Sequence, residues 1–294
     1  MRPLFPLILT LCFSVCIQAR ATAIPRAVTE DPAPDKQFPA RLEVIHVPTG
    51  GVDVNGVVYV AAGPGPHPTF LLFHGLPGNE RNLDVAQAVR RAGWNAVTIN
   101  YRGNWGSPGK FSLAQNLDDA RAALVFLRDP ANAKRLNIDP AHIAVGGHSV
   151  GGWVAAETLA ADPKLLGAVL ISPGDPGAVA AYARKDRATV VAALNDSLEG
   201  IAGATGESMV DELGAHGAQW SFAALAPKLT GARLNVLYAT DFVQADSVAL
   251  IKAVQKNGGK LVESTLVATD HSWSDKRIEL QARVVNWLRS LPVH

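Results

Sequence analysis

The chain has 294 residues, 48% hydrophobic and 18% charged, enough apolar length for one large core or a core with a modest insertion. A formal net charge of +1 argues against nucleic acid or an anionic membrane surface as the principal partner. The two cysteines, Cys12 and Cys16, lie in the first apolar run, so a chain cut beyond it keeps no disulfide, thiol nucleophile or thiolate metal site.

Arg2, the apolar residues 4–17, and the small residues Ala19, Ala21 and Ala23 read as a secretory signal over 1–23. Cleavage fits after Ala21 or Ala23, with Ala23 preferred. The apolar run is short for a bilayer span, so no stable membrane insertion is expected after cleavage, and the product is secreted or periplasmic. Residues 24–40 carry Pro25, Pro32, Pro34 and Pro39 among charges and read as an extended leader to a domain over 41–294.

Residues 41–47 and 52–61 alternate as two antiparallel strands joined at Gly50-Gly51. The buried-strand pattern of 69–73 breaks into His74-Gly75-Leu76-Pro77-Gly78. Asn79 is the expected cap of a helix in which Val85, Val89 and Ala92 share a face and Gly93 is the stop. A strand over 94–100, a loop over 101–109 and a helix over 113–128 follow. Asp139-Pro140 turns the chain, and Ile143 begins the next strand.

That strand runs into Gly147-His148-Ser149-Val150-Gly151, and an alanine-rich helical pattern follows from Trp153. A Gly-x-Ser-x-Gly match is weak as letters alone, but strand before and helix after are what a nucleophile elbow demands. The turn places Ser149 at its apex, with glycines where side chains would clash. Val150 N–H then sits at a helix N-terminus, ready to donate to an oxyanion.

Further strands are expected over 165–171, 234–239 and 261–267, with a helix over 246–256 ended by Gly258-Gly259. A last helix over 275–291 aligns Ile278, Ala282, Val285 and Leu288. This alternation implies an α/β fold, a mostly parallel sheet of about eight strands with helices on both faces. Residues 174–228 interrupt it with a mainly helical insertion, well placed as a lid.

A free serine is a poor nucleophile at neutral pH and needs a base. His271 follows the last strand, at the sheet edge that presents Ser149. His46, His67, His142, His216 and His294 lack such placement and read as structural or surface residues. The base needs an acceptor to fix its tautomer. Asp241 leaves its strand at the correct edge; Asp246, better explained as a helix cap, and Asp175 remain alternatives, while Asp270 adjoins the histidine awkwardly. Leu76 N–H is the expected second oxyanion donor, paired with Val150 N–H, and His74 holds that loop by hydrogen bonds.

Together these residues resemble the α/β-hydrolase superfamily, in the order Ser149, Asp241, His271. His74-Gly75-x-Pro77-Gly78, Tyr101-Arg102-Gly103-x-x-Gly106-Ser107-x-Gly109 and Gly147-His148-Ser149-x-Gly151-Gly152 look like its prolyl oligopeptidase-like and dienelactone hydrolase-like branches. The resemblance implies a serine hydrolase without metal or organic cofactor, acting on a small-molecule ester or a short peptide. Serine replaces the cysteine of dienelactone hydrolases proper, and the chain has no room for the propeller of true prolyl oligopeptidases. A non-catalytic binding protein with the same fold is the reading of another class.

Overall fold

The computed structural model describes residues 22–293, so the expected signal up to Ala21, both cysteines and His294 lie outside the described residues. The stretch expected as an extended leader contains a helical turn, α1 (Arg26–Thr29). Ala27 is buried there, and Arg91 Nε donates to its carbonyl at 2.6 Å, so docking sets the local conformation despite the prolines.

Strands β1 (Arg41–Thr49) and β2 (Val52–Val60) pair antiparallel through the Gly50-Gly51 turn. The chain continues through β3 (His67–Phe73), α2 (Leu83–Arg91), β4 (Asn95–Ile99), α3 (Leu113–Arg128), α4 (Pro130–Leu136), β5 (Ile138–His148) and α5 (Val150–Ala161). After β6 (Ala168–Ile171) come α6 (Pro176–Ala183), α7 (Arg187–Asn195), α8 (Gly206–Trp220), α9 (Phe222–Leu225) and a 3-10 turn, Ala226–Leu229. The chain then forms β7 (Leu234–Ala239), α10 (Gln244–Lys256), β8 (Val262–Val267) and α11 (Arg277–Arg289).

The strands form one eight-stranded sheet in the order β1-β2-β4-β3-β5-β6-β7-β8, parallel from β4 through β8. Helices cover both faces, which is why the inner strands lack polar alternation. In β3, Leu71 and Phe73 enter one core with Trp153, while Phe70 and Leu72 enter the other with Trp273. Strand β5 therefore ends near the middle of the sheet, with β6, β7 and β8 to one side.

Local expectations fail where tertiary contacts outweigh the local pattern. Helix α2 starts at Leu83, and its N-cap is Asn82 (φ 55°), not Asn79. Arg277 holds this entry by donating to Asn82 Oδ1 at 3.0 Å and gripping the Asp84 carboxylate. Helix α4 was not anticipated, although Asp129 accepts from Ala131 N and Asn132 N at 3.0 Å with Pro130 in the first turn. Ile278 departs from the expected buried stripe: it is 54% exposed, while Ala282, Val285 and Leu288 are buried.

Hydrogen bonds fasten the segment between β6 and β7 to α3 and to the loop after β4. Glu212 of α8 caps α3, accepting from Leu113 N and Ala114 N at 2.9 Å. Main-chain bonds also tie it to the 101–111 loop, from Trp105 N to Gly200 O at 2.9 Å and from Ala202 N to Gly103 O at 2.7 Å.

Two histidines lie buried beneath the C-terminal rim of the sheet. Burial lowers the His74 pKa to about 4. Burial, then the nearby His271 charge, lowers that of His148 to about 3. Below about pH 6.5 the unfolded chain takes up protons that these folded sites refuse, so stability is lost as pH falls. Each site should remove ~1.4 kcal/mol per pH unit in that window. Urea midpoints should therefore fall more steeply between pH 7 and 5 in the parent than in His148→Gln; the same pH dependence in both contradicts a buried neutral His148.

Candidate active site

Ser149 sits between β5 and α5 with φ 57° and ψ −122°, a conformation unfavourable for a residue with a side chain. The surroundings enforce it. Ser149 N donates to Ile171 O at 2.9 Å, and Gly174 N donates to Ser149 O at 3.3 Å. A Cβ on Gly147 would overlap the Gly151 carbonyl, and one on Gly151 would overlap the Phe73 carbonyl, so only glycine permits the reversal. The result leaves the Ser149 side chain half-buried at the sheet rim.

His271 arrives on the loop after β8 and donates from Nδ1 to Asp241 Oδ2 at 2.8 Å. Burial would raise the Asp241 pKa, but hydrogen bonds from His271 and Ser172 outweigh it and hold the carboxyl below its ordinary range. An ionised carboxylate only accepts, so Nδ1 carries the proton and the Nε2 lone pair is free to act as a base. Among the described residues, the side-chain hydrogen bond of His271 is this one; the Ser149 hydroxyl is not bonded to the ring. Bonds between nucleophile and base commonly close only around substrate.

Neighbours that sequence reasoning did not single out hold this imidazole. His148 lies beside it, ring centroids 4.6 Å apart, and its Nε2 donates to the His271 carbonyl at 2.8 Å. Phe242 covers it from elsewhere at 4.5 Å. Trp273 Nε1 donates to Ser172 Oγ at 3.2 Å, linking the histidine loop to the end of β6. Arg277 Nη1 donates to Ser272 O at 2.9 Å. His148 was visible within the elbow motif itself; Ser172, Phe242, Trp273 and Arg277 have no signal apart from the fold.

The loop after β3 comes up against Ser149. A Cβ on Gly75 would stand 2.9 Å from Ser149 Cβ, so a larger residue would push the loop away. His74 Nδ1 donates to Gly75 O at 2.8 Å, and Pro77 O accepts from Asn104 Nδ2 at 3.0 Å and Trp105 Nε1 at 2.8 Å. Leu76, Val150 and Ser149 line one cavity. Val150 opens α5, so its N–H belongs to the first turn, where donors have no carbonyl within the helix.

The alternative acids are engaged elsewhere. Asp175 caps α6 through Gly177 N at 2.8 Å and also accepts from Phe222 N at 3.3 Å. Asp246 stands in the first turn of α10, whose N-cap is Val243, and accepts from Asp175 N at 3.1 Å. Asp270 accepts from Ser274 N at 2.8 Å within its own turn. His46 meets Asn55, His67 meets Gly63 O, His142 meets Asp139, and His216 stacks on Trp220, all without contact to Ser149. Among the described residues, no group of three or more His, Cys, Asp or Glu is arranged to hold a metal ion.

Known proteins are similar to this chain in sequence or in structure. Two uncharacterized proteins from two strains of Mycobacterium tuberculosis are 30% identical over 125 residues, 42% of this chain and 43% of their own length. The chain thus spans under half the length of the curated relatives it matches. A 2,6-dihydroxy-pseudo-oxynicotine hydrolase has a similar structure, with TM-score 0.64, 17% identity, and coverage of 87% of this chain and 69% of that one. The thermostable carboxylesterase EstE1, cloned from a metagenomic library, gives 0.59 at 18% identity, covering 86% and 90%. The Pyrococcus horikoshii acylaminoacyl peptidase gives 0.63 at 14% identity, covering 86% of this chain and 42% of that one. At such identities these structures speak for the fold alone. The model of the alpha/beta hydrolase family matches residues 70–285, and the chain belongs to that family.

Proposed function

We propose that this hydrolase is an exported serine esterase that cleaves carboxylic esters through an acyl-enzyme on Ser149. The observation that carries the reading is the 2.8 Å bond from His271 Nδ1 to Asp241, which leaves Nε2 as acceptor at the rim where the elbow holds Ser149. In the proposed cycle Nε2 takes the Ser149 proton as Oγ attacks the ester carbonyl. The N–H groups of Leu76 and Val150 receive the developing oxyanion; each such donor is worth on the order of 3 kcal/mol in the transition state. The imidazolium, stabilised by Asp241, then protonates the departing alcohol. Water enters, loses its proton to the same Nε2, and releases the acid while Ser149 regains its hydrogen.

Asp241 keeps the ring in one tautomer, so its charge matters more than its bulk. A serine peptidase would use the same residues, because esters and amides pass through similar tetrahedral states. Matched ester and anilide substrates separate the two, and faster anilide turnover would favour the peptidase.

Ser149→Ala should abolish turnover of p-nitrophenyl acetate and labelling by a phosphonate probe while leaving the far-ultraviolet circular dichroism unchanged. Asp241→Asn should keep the fold but lower kcat by about 10³–10⁴-fold, since the amide can hold the wrong tautomer. Retained phosphonate labelling in Ser149→Ala refutes the nucleophile, and near-native kcat in Asp241→Asn refutes the acid. For export, the N-terminal sequence of the extracytoplasmic product should begin at Ile24; a product beginning at Met1 removes the proposed signal.

A further inference from the structure

Beside Ser149 lies a cavity of ≈ 340 Å³, bounded on its far side by α6, α7 and α8. Its walls are largely apolar, from Leu76, Val179, Tyr182, Leu194, Met209 and Leu213. Three large apolar side chains stand exposed around it, Val179 at 36%, Tyr182 at 52% and Phe242 at 80%. Exposed apolar groups gathered at a cleft mark a binding surface rather than ordinary scatter.

Which half of an ester enters is settled by where the proton goes. The departing oxygen must meet His271 Nε2, so the alcohol lies on the imidazole side. The cavity touches Ser149, Val150 and Leu76, the nucleophile and the two oxyanion donors, but His271 is not among its walls. Phe242 stands between, against the imidazole at 4.5 Å on one side and lining the cavity on the other. A group bonded to the carbonyl carbon, opposite the leaving oxygen, therefore points into this space.

Resting on the esterase reading, we infer that the cavity is an acyl site and that the substrates are esters of uncharged, apolar acids of medium length. A space of ≈ 340 Å³ lies at the small end of ligand cavities, which suits a medium-length chain such as octanoyl rather than a long one. Asp175 and Asp246 also line it. A carboxylate at the far end of the acyl chain would lose its hydration among apolar walls and face these like charges, so it is disfavoured.

Ethyl octanoate and octyl acetate are isomers that differ only in which side of the ester carries the chain. The full-length protein should show kcat/KM at least tenfold higher for ethyl octanoate, and at least tenfold lower for ethyl hydrogen suberate than for ethyl octanoate. Val179→Trp, at an exposed position on α6 where folding is not at stake, should bring the ratio between the two isomers towards one. Parity of the isomers, preference for octyl acetate, or equal use of the suberate overturns the acyl site while leaving the esterase reading intact. Phosphonate labelling of Ser149 with turnover of neither isomer also overturns the acyl site alone. Absence of both labelling and turnover instead removes the acyl-enzyme and, with it, both readings.

Discussion

The tightest constraint in this molecule is the reversal between β5 and α5, where one residue separates the strand from the helix. The reversal puts Ser149 at φ 57°, presses 147 against the main chain of 151 and 151 against that of Phe73, so neither glycine tolerates a Cβ. The unfavourable backbone is sustained by bonds to its neighbours, from Ser149 N to Ile171 O and from Gly174 N to Ser149 O. Both partners come from β6 and the loop that leaves it. The strained residue is therefore held by the adjacent strand of a sheet buried on both faces, and the sheet supplies the rigidity that a loop could not.

The loop after β8 relies on the same sheet edge. Its imidazole is oriented by the Asp241 carboxylate below, by the His148 ring beside it, and by Trp273 reaching Ser172. Ser172 and Trp273 also adopt positive φ, 41° and 58°. Ser149, Ser172 and Trp273, each costly in backbone terms, thus gather at one rim, where surrounding packing can over-determine them. His148 contributes because burial keeps it neutral, so its Nε2–H can donate to the His271 carbonyl without adding a charge beside that imidazole.

Much of the fold was legible because its signals are local. The strand expected over 234–239 and the helix over 113–128 have the observed limits, set by a short, largely apolar buried run and by Ser112 as a cap. The elbow was legible for the same reason, since glycine spacing and the strand-to-helix switch lie within a few residues. What escaped depends on remote partners. The start of α2 is set by Arg277, nearly two hundred residues away, and α1 is held by Arg91. Ile278 fits the apolar period of α11 but, second residue of the helix, remains exposed. Among the candidate acids, three aspartates were available by sequence, and only their hydrogen bonds separate Asp241, which meets the histidine, from two that cap or brace helices.

The fastening of the helical segment over the site separates two properties that often conflict. Part of its attachment is main chain, through Gly103, Trp105, Gly200 and Ala202; Glu212 at the start of α3 and the packing of Trp220 of α8 on Trp153 of α5 supply side-chain ties. The close contacts of Gly177 with Ser221 and of Ala180 with Gly217 fix the face of α6 opposite the cavity. Peptide groups are common to nearly every amino acid, so the ties at Gly200 and Ala202 place little demand on Val179, Tyr182 and Leu194 along the cavity. Those inward-facing positions are left to vary with the molecule to be admitted. Divergence at this site can therefore proceed by side-chain exchange along an already secured wall, without renegotiating how that wall is attached.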